Sequence, residues 1–315
     1  KNYSLSGMFD YSPSEMRLRE YVLVKIKRQL DLFGFSPIST PIMEKRDNLF
    51  GGYNEDGDKL IFQVLKSGDY MSSLSDKYDD INDISRLISD KALRYDLTLP
   101  FARFVAQNLN NLNLPFRRYQ IGSVFRADRP QKGRLREFIQ CDADIIGTTS
   151  LWSEIDLICL LDSVFQSLSL DNLTIRLNNR KILEGLFNFL SLSISFAQFC
   201  TIIDKIDKIG IEKVSNILVA HGCSIDKRNT LLSLFNLNGD FAKKKSMIIS
   251  EIKNDFIFAG LEDMSYIFSH LNKLSIVNNT IFDISLARGL DYYTGSIFEV
   301  VSDSENIGSI VGGGR

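Results

Sequence analysis

FRADRPQKGRLREFIQCDADIIG, residues 125–147, reads as the end of one strand, a turn built around Pro130 and Gly133, and a second strand running out to Gly147. In a strand, successive side chains point to opposite faces. Arg136, Phe138, Gln140, Asp142 and Asp144 therefore share one face, and Ile139, Cys141, Ala143 and Ile145 share the other, which is expected to be core. A cation, a flat aromatic ring, an amide and two carboxylates in one row are costly to bury without a ligand, so the even face reads as the floor of a site. On the preceding strand, in a hairpin spanning Arg118 to Gly147, Gln120, Gly122 and Arg126 share a face. Gly122 is expected to leave room for something close to the sheet. Between Arg126 and Arg136, five cations (Arg126, Arg129, Lys132, Arg134, Arg136) stand against the single acid Asp128. Arginine's planar fork pairs with two phosphate oxygens and stays charged at any working pH, which makes this loop a candidate phosphate site.

That local excess matters because the chain as a whole carries a net charge of -2 over 315 residues and has no general attraction for polyanions. Hydrophobic residues at 44% and charged ones at 24% are ordinary for a globular chain, which excludes disorder. No apolar run reaches the roughly 18 residues of a membrane helix, and no signal-like segment opens the chain, so a cytoplasmic protein is expected. Cys141, Cys159, Cys200 and Cys223 form no C-x-x-C pair and are expected to be reduced, buried thiols. With only His221 and His270 present, neither a histidine-based triad nor a metal site is expected. The run Lys243 to Lys245 reads as a solvated helix face.

Further out, Ser12-Pro13-Ser14-Glu15 is a capping box with proline at the first helical position. The helix it starts runs to about Phe33, and Leu18, Tyr21, Val22, Ile26, Leu30 and Phe33 recur at helical spacing, predicting one buried face. Pro37 and Pro41 mark the segment from Phe35 to Met43 as extended and at an edge or interface. Weak strand signals lie at Leu60 to Leu65. Ala92 to Thr98 is expected to be extended, with Thr98 capping a helix that Pro100 begins. A helix is expected from about Trp152 to Leu168, a strand at Leu173 to Leu177, helices throughout Phe196 to Leu274, and strands at Ile281 to Leu286 and Ser296 to Val301. A helical block between strand-rich parts predicts an α+β fold with a helical module.

Two further constellations stand out. In 286–295, LARGLDYYTG, a pair of glycines brackets a polar, aromatic turn directly after an apolar strand, where sites gather. In 94–98, RYDLT, an acid and a hydroxyl precede a helix. Together with the hairpin, these carry a resemblance: FRADRPQKGRLREFIQCDADIIG resembles motif 2 of class II aminoacyl-tRNA synthetases in its histidine-specific form. ARGLDYYTGSIFE is similar to that family's histidine signature, while LRYDLTLPFAR and FSPISTPIMEK are similar to its amino-acid-binding and motif 1 segments.

The resemblance implies an antiparallel sheet flanked by helices. Residues 1–195 would form the first part of the catalytic core, 196–274 a helical insertion, and 275–315 a second part that stops before the end of motif 3, with no anticodon-binding domain. It implies a homodimer with motif 1 near the subunit contact. The implied reaction is ATP-dependent activation of L-histidine to histidyl-adenylate and transfer to the 3' end of tRNA(His), with Mg2+ on the ATP phosphates. By position, Arg126 resembles the arginine holding the α-phosphate and the amino-acid carboxylate, Phe138 the ring on which adenine stacks, and Arg134 and Arg136 the arginines on the ATP tail. Asp96, Thr98 and Gln140 correspond to the groups holding the substrate's ammonium, with Leu97 also in the histidine-binding segment, while Asp144, Tyr292 and Tyr293 correspond to those around its imidazole. Arg288 resembles the catalytic arginine, and Arg129 and Lys132 are candidates for tRNA contact. The competing expectations are a histidine-sensing regulatory subunit of ATP phosphoribosyltransferase, which shares the fold, and an RNA-binding module.

Overall fold

In the computed structural model, which describes residues 4–50, 60–70, 81–131, 133–288, 292–302 and 308–315, the hairpin is the longest pairing of the amino-terminal half. Its strands are β5 (Phe116–Phe125) and β6 (Glu137–Ile146). The register sets Arg118 opposite Asp144, Gln120 opposite Asp142, Gly122 opposite Gln140 and Val124 opposite Phe138. The even face anticipated from alternation therefore exists on both strands. β1 (Ser36–Pro37) adds to β5 in parallel at the sheet edge, where a proline without an N–H costs no ladder bond. A second sheet is antiparallel in the order β2 (Met43–Lys45), β4 (Lys91–Leu93), β3 (Gln63–Val64). From β4 the chain crosses the even face of the hairpin: Phe125 N–H donates to the Arg94 carbonyl at 3.0 Å, and Arg94 Nε donates to the Ser123 carbonyl at 2.8 Å.

Four local expectations change here. The helix after β4 spans Thr98–Asn108, and its cap is Asp96 rather than Thr98. Asp96 Oδ1 accepts from the Thr98 and Leu99 N–H groups at 3.0 and 3.3 Å, satisfying two of the donors a helix start leaves open. The space over Gly122 is taken by the Arg94 guanidinium, which a Cβ at that position would strike. The odd face of β6 is not a closed core, since Ile139 and Cys141 are exposed and Ala143 and Ile145 only half-buried. The helix Pro13–Leu32, whose capping box at Ser12 forms as expected, buries only Leu30 fully, while Leu18 and Tyr21 stay 64% and 54% exposed. Among the described residues nothing covers Leu18 and Tyr21.

The chain divides into two compact units, 1–148 and 149–315. The second holds a four-stranded sheet in the order β10 (Val311–Gly314), β9 (Ser296–Ser302), β7 (Leu173–Asn179), β8 (Asn279–Phe282). β7 and β8 are parallel and the other pairs antiparallel, so the sheets are mixed rather than wholly antiparallel. The strand expected to reach Leu286 ends at Phe282, after which Asp283 bonds Ser285 and turns the chain. Helices at Trp152–Ser167 and Arg180–Leu190 flank the sheet, and six more follow between Phe196 and Leu271. One apolar core joins them: Ile175, Leu177 and Val300 from strands, and Ile182, Leu186, Ile257, Leu261 and Met264 from helices. Cys200 and Cys223 are buried within it, Cys141 is at the surface, and none of the four cysteines is in a disulfide. No described helix is long and apolar enough to cross a membrane.

Candidate functional site

In the first unit, the row of side chains on β6 forms the site from the sheet upward. Arg126, just past the end of β5, directs Nε to the Tyr95 carbonyl at 3.2 Å, and its guanidinium lies 4.5 Å from the Tyr95 ring and 5.1 Å from the Phe138 ring. The two ring faces supply negative quadrupoles that hold the cation in place. Burial pushes the Tyr95 phenol upward, against the pull of Arg126, so the ring stays neutral.

Next along the row, Gln140 Nε2 donates to Asp142 Oδ1 at 2.7 Å, and Gln140 Oε1 is buried with no hydrogen-bond partner among the described residues. Burial, then repulsion from Asp144, pushes the Asp142 carboxyl up to about 7, opposed by Arg118. Asp144 Oδ2 meets Arg118 Nη2 at 2.5 Å. The Arg118 guanidinium lies 3.9 Å from the Phe101 ring, is wholly buried, and leaves Nε and Nη1 without a partner among the described residues. Burial also raises the Asp144 carboxyl, with Arg118 pulling it back. Asp96, 6% exposed, adds its charge to both acids and is tethered by the helix N–H groups it caps. The floor thus runs from a cation beside two rings, through an amide, to three carboxylates around the buried Arg118.

The sequence-predicted residues Arg126, Phe138, Gln140, Asp144 and Asp96 fall in this row. Thr98 starts the adjoining helix, and Leu97, expected at the histidine site, is fully buried. Arg136 is drawn away from the row: Nε donates to the Asp128 carbonyl at 3.0 Å and Nη1 to the Ser6 carbonyl at 3.4 Å. Arg134 is exposed, closing the loop tip by a two-way bridge with Gln131, and Arg129 is exposed too. Lys132 lies outside the described residues. Sequence reasoning missed Tyr95 and Arg118. The parity that grouped Gln120 with Gly122 also places Arg118 on that face, and this was the available signal.

In the second unit, Asn178 Nδ2 donates to the Ile284 and Leu286 carbonyls at 3.0 and 2.9 Å, pinning the chain that leads to Arg288. Arg288 Nε is buried without a partner among the described residues, and its guanidinium lies 5.9 Å from the ring of buried Tyr293. Tyr292 is 42% exposed, its ring 4.7 Å from that of Tyr293. Gly312 on β10 faces this guanidinium so closely that a Cβ there would overlap it. Gly312→Ala is expected to be tolerated by the fold, because the colliding group is the far end of a flexible side chain, but to displace Arg288. If Arg288 is catalytic, turnover falls about a hundredfold, the usual penalty for a misplacement near 1 Å. Thermal melting beside turnover checks this, and unchanged turnover would remove Arg288 from the mechanism.

The family model described as histidyl-tRNA synthetase matches residues 7–315. The histidine--tRNA ligase of Christiangramia forsetii is 43% identical over an alignment of 316 positions, which covers 98% of this chain and 69% of that protein. The crystal structure of a Nostoc histidyl-tRNA synthetase superposes with a TM-score of 0.80 at 29% identity, covering all of this chain and 68% of that one. A Bacillus halodurans structure titled as an ATP phosphoribosyltransferase regulatory subunit/histidyl-tRNA synthetase gives the same TM-score at 19% identity over 76% of its length, and shares the fold alone. With sequence and fold in agreement over nearly its whole length, the chain belongs to the histidyl-tRNA synthetase family.

Proposed function

We propose that this protein activates L-histidine with ATP and transfers it to the 3' end of tRNA(His). The observation that carries the reading is the polarity of the β6 face: a ring-flanked cation at one end suits a nucleotide phosphate and base, and an amide with carboxylates at the other suits an amine and an imidazole. Arg126 takes the α-phosphate and Phe138 stacks adenine. Asp96, Thr98 and Gln140 hold the ammonium, and Asp144 the imidazole. The histidine carboxylate, ionised near neutral pH, attacks the α-phosphorus and expels pyrophosphate, so no general base is needed. Arg126 stabilises the charge growing on the phosphoryl oxygens. ATP enters as its magnesium complex, with Arg134 on its tail. Arg136 joins Arg134 only if it leaves the Ser6 and Asp128 carbonyls. In the second step the tRNA hydroxyl attacks the histidyl carbonyl and AMP leaves. For Arg288, Tyr292 and Tyr293 the reading rests on the motif they belong to.

The finer partners follow the same reading. A second copy of the chain is supported by the exposed apolar stripe of the first helix, where Val24 and Leu32 are 65% and 70% exposed, and by exposed Ile42 and Met43 further along the chain. Exposed Arg129, with Lys132 in the same loop, is proposed to meet the tRNA acceptor end. The helices of 196–274 are proposed as the family's insertion domain. Histidine-dependent ATP/pyrophosphate exchange and tRNA charging by the complete protein test the whole reading. Binding of histidine without exchange or charging would favour the regulatory alternative.

A further inference from the structure

Gln140 is an amide, and its two ends are chemically opposite: Nε2 can only donate and Oε1 can only accept. Which end faces a ligand is not decided by the residue type or by the strand. It is decided by what holds the other end. In this chain Nε2 is held by Asp142 Oδ1 at 2.7 Å, and Oε1 is left buried with no partner among the described residues. A buried acceptor without a donor carries a desolvation cost that a ligand N–H removes. The surroundings add that the ligand group is cationic, since Asp96, Asp142 and Asp144 outnumber the two buried cations of this face, Arg118 and Arg94, and Arg94 is engaged by the Ser123 and Thr40 carbonyls.

We infer that Asp142 is a positioning residue that acts through Gln140, holding the amide so that Oε1 and not Nε2 meets the ammonium group of the amino-acid substrate. The inference rests on the proposed histidine site and adds to it a residue to which no role had been given. An ionised carboxylate accepts only, so it imposes this orientation. A protonated Asp142 could instead donate its O–H to Oε1. The amide would then turn, and Nε2 would face the ammonium as donor against donor.

Ammonium binding should therefore follow Asp142 ionisation. The groups around Asp142 are Arg118 and Gln120 on β5, Arg94 and Asp96 from the segment crossing the sheet, and Asp144 and Gln140 on its own strand, with Cys141 adjacent on the other face. Burial and the two neighbouring carboxylates push Asp142 up to about 7, and Arg118 and the Gln140 bond oppose them. A raised carboxyl keeps its proton until near neutrality, so the KM for histidine should fall as pH rises through about 7.

The test is steady-state exchange by the complete protein from pH 6 to 8, with direct histidine binding by calorimetry. Asp142→Asn leaves both amide orientations open. Its KM for histidine is expected to rise about tenfold at pH 8, as for a misdirected hydrogen bond to a charged group, while the KM for ATP stays put. Its pH profile should be flatter than that of the wild type. In a double-mutant cycle, Asp142→Ala should add almost nothing once Gln140 is alanine, because its only route to the ligand is gone. A wild-type KM and pH profile in Asp142→Asn would overturn the inference, as would a full penalty from Asp142→Ala in the Gln140→Ala background. A wild-type protein that neither binds histidine nor exchanges pyrophosphate would overturn the ligase reading with it, and so separates the two failures.

Discussion

Replacing Asp144 with alanine is expected to destabilise the protein by about 3 kcal/mol, a large share of the roughly 5 to 15 kcal/mol that holds a domain together. The cost arises on the other side of the pair. Arg118 is wholly buried, its Asp144 contact is its one ion pair among the described residues, and the Phe101 ring face is a weak substitute for an anion. Breaking a buried pair by removing one partner typically costs about 3 to 5 kcal/mol. The lower end applies because the Asp144 side chain is 36% exposed, so water can enter the space it vacates. The reverse change, Arg118→Met, should cost less: Asp144, already raised by burial, can take up a proton or meet water. The double change should recover most of the loss, since a buried pair replaced by apolar groups of similar volume is often close to neutral. Urea unfolding of the three variants checks this. The account fails if Arg118→Met is the more damaging single change, or if the double variant is no better than Asp144→Ala.

Arg126→Lys should fold normally and lose about two to three orders of magnitude in histidine-dependent pyrophosphate exchange at saturating substrates. Lysine keeps the charge and most of the stem, but not the planar fork that pairs with two oxygens at once. The guanidinium also depends on its flat faces, one 4.5 Å from the Tyr95 ring and the other group 5.1 Å away at Phe138, and on the Nε bond to the Tyr95 carbonyl. An ammonium is a point charge that keeps none of that orientation. Since the proposed first step uses no general base, positioned charge is its main source of rate. A loss below tenfold would mean that this cation is not on the reacting phosphoryl group.

The two predictions differ in how far the sequence foretold them. Arg126 was readable because it begins a dense run of cations in an otherwise near-neutral chain, and because its neighbour in the row, Phe138, follows from strand parity. Arg118 was not singled out, although it shares that parity. An arginine within a strand says nothing of its partner until the register sets it opposite Asp144, 26 residues on. Arg94 shows the reverse. Gly122 was read as room for a ligand, and the room is filled by a side chain from the segment that crosses the sheet. The cap of the helix at Thr98 shifted to Asp96 for a local reason: a carboxylate two residues before the first helical residue can reach two N–H groups at once.

Although the helices Ile81–Ile88 and Arg180–Leu190 and the strand Val311–Gly314 were not foreseen, by itself the sequence determined that the Ser12 box starts a helix, that the prolines near Pro37 keep to an edge, and which side chains of β6 lie in one row. These are properties of a few consecutive residues, set by backbone geometry and side-chain direction. The tertiary structure alone decided which members of that row remain open to a ligand. Arg136 is engaged by the Ser6 carbonyl and Asp144 by Arg118, while the Gln140 amide, turned by its strand neighbour Asp142, keeps Oε1 unpaired because no other described segment brings a donor to it. A polar group's availability depends on what satisfies it, and the chain brings most of those partners from tens of residues away.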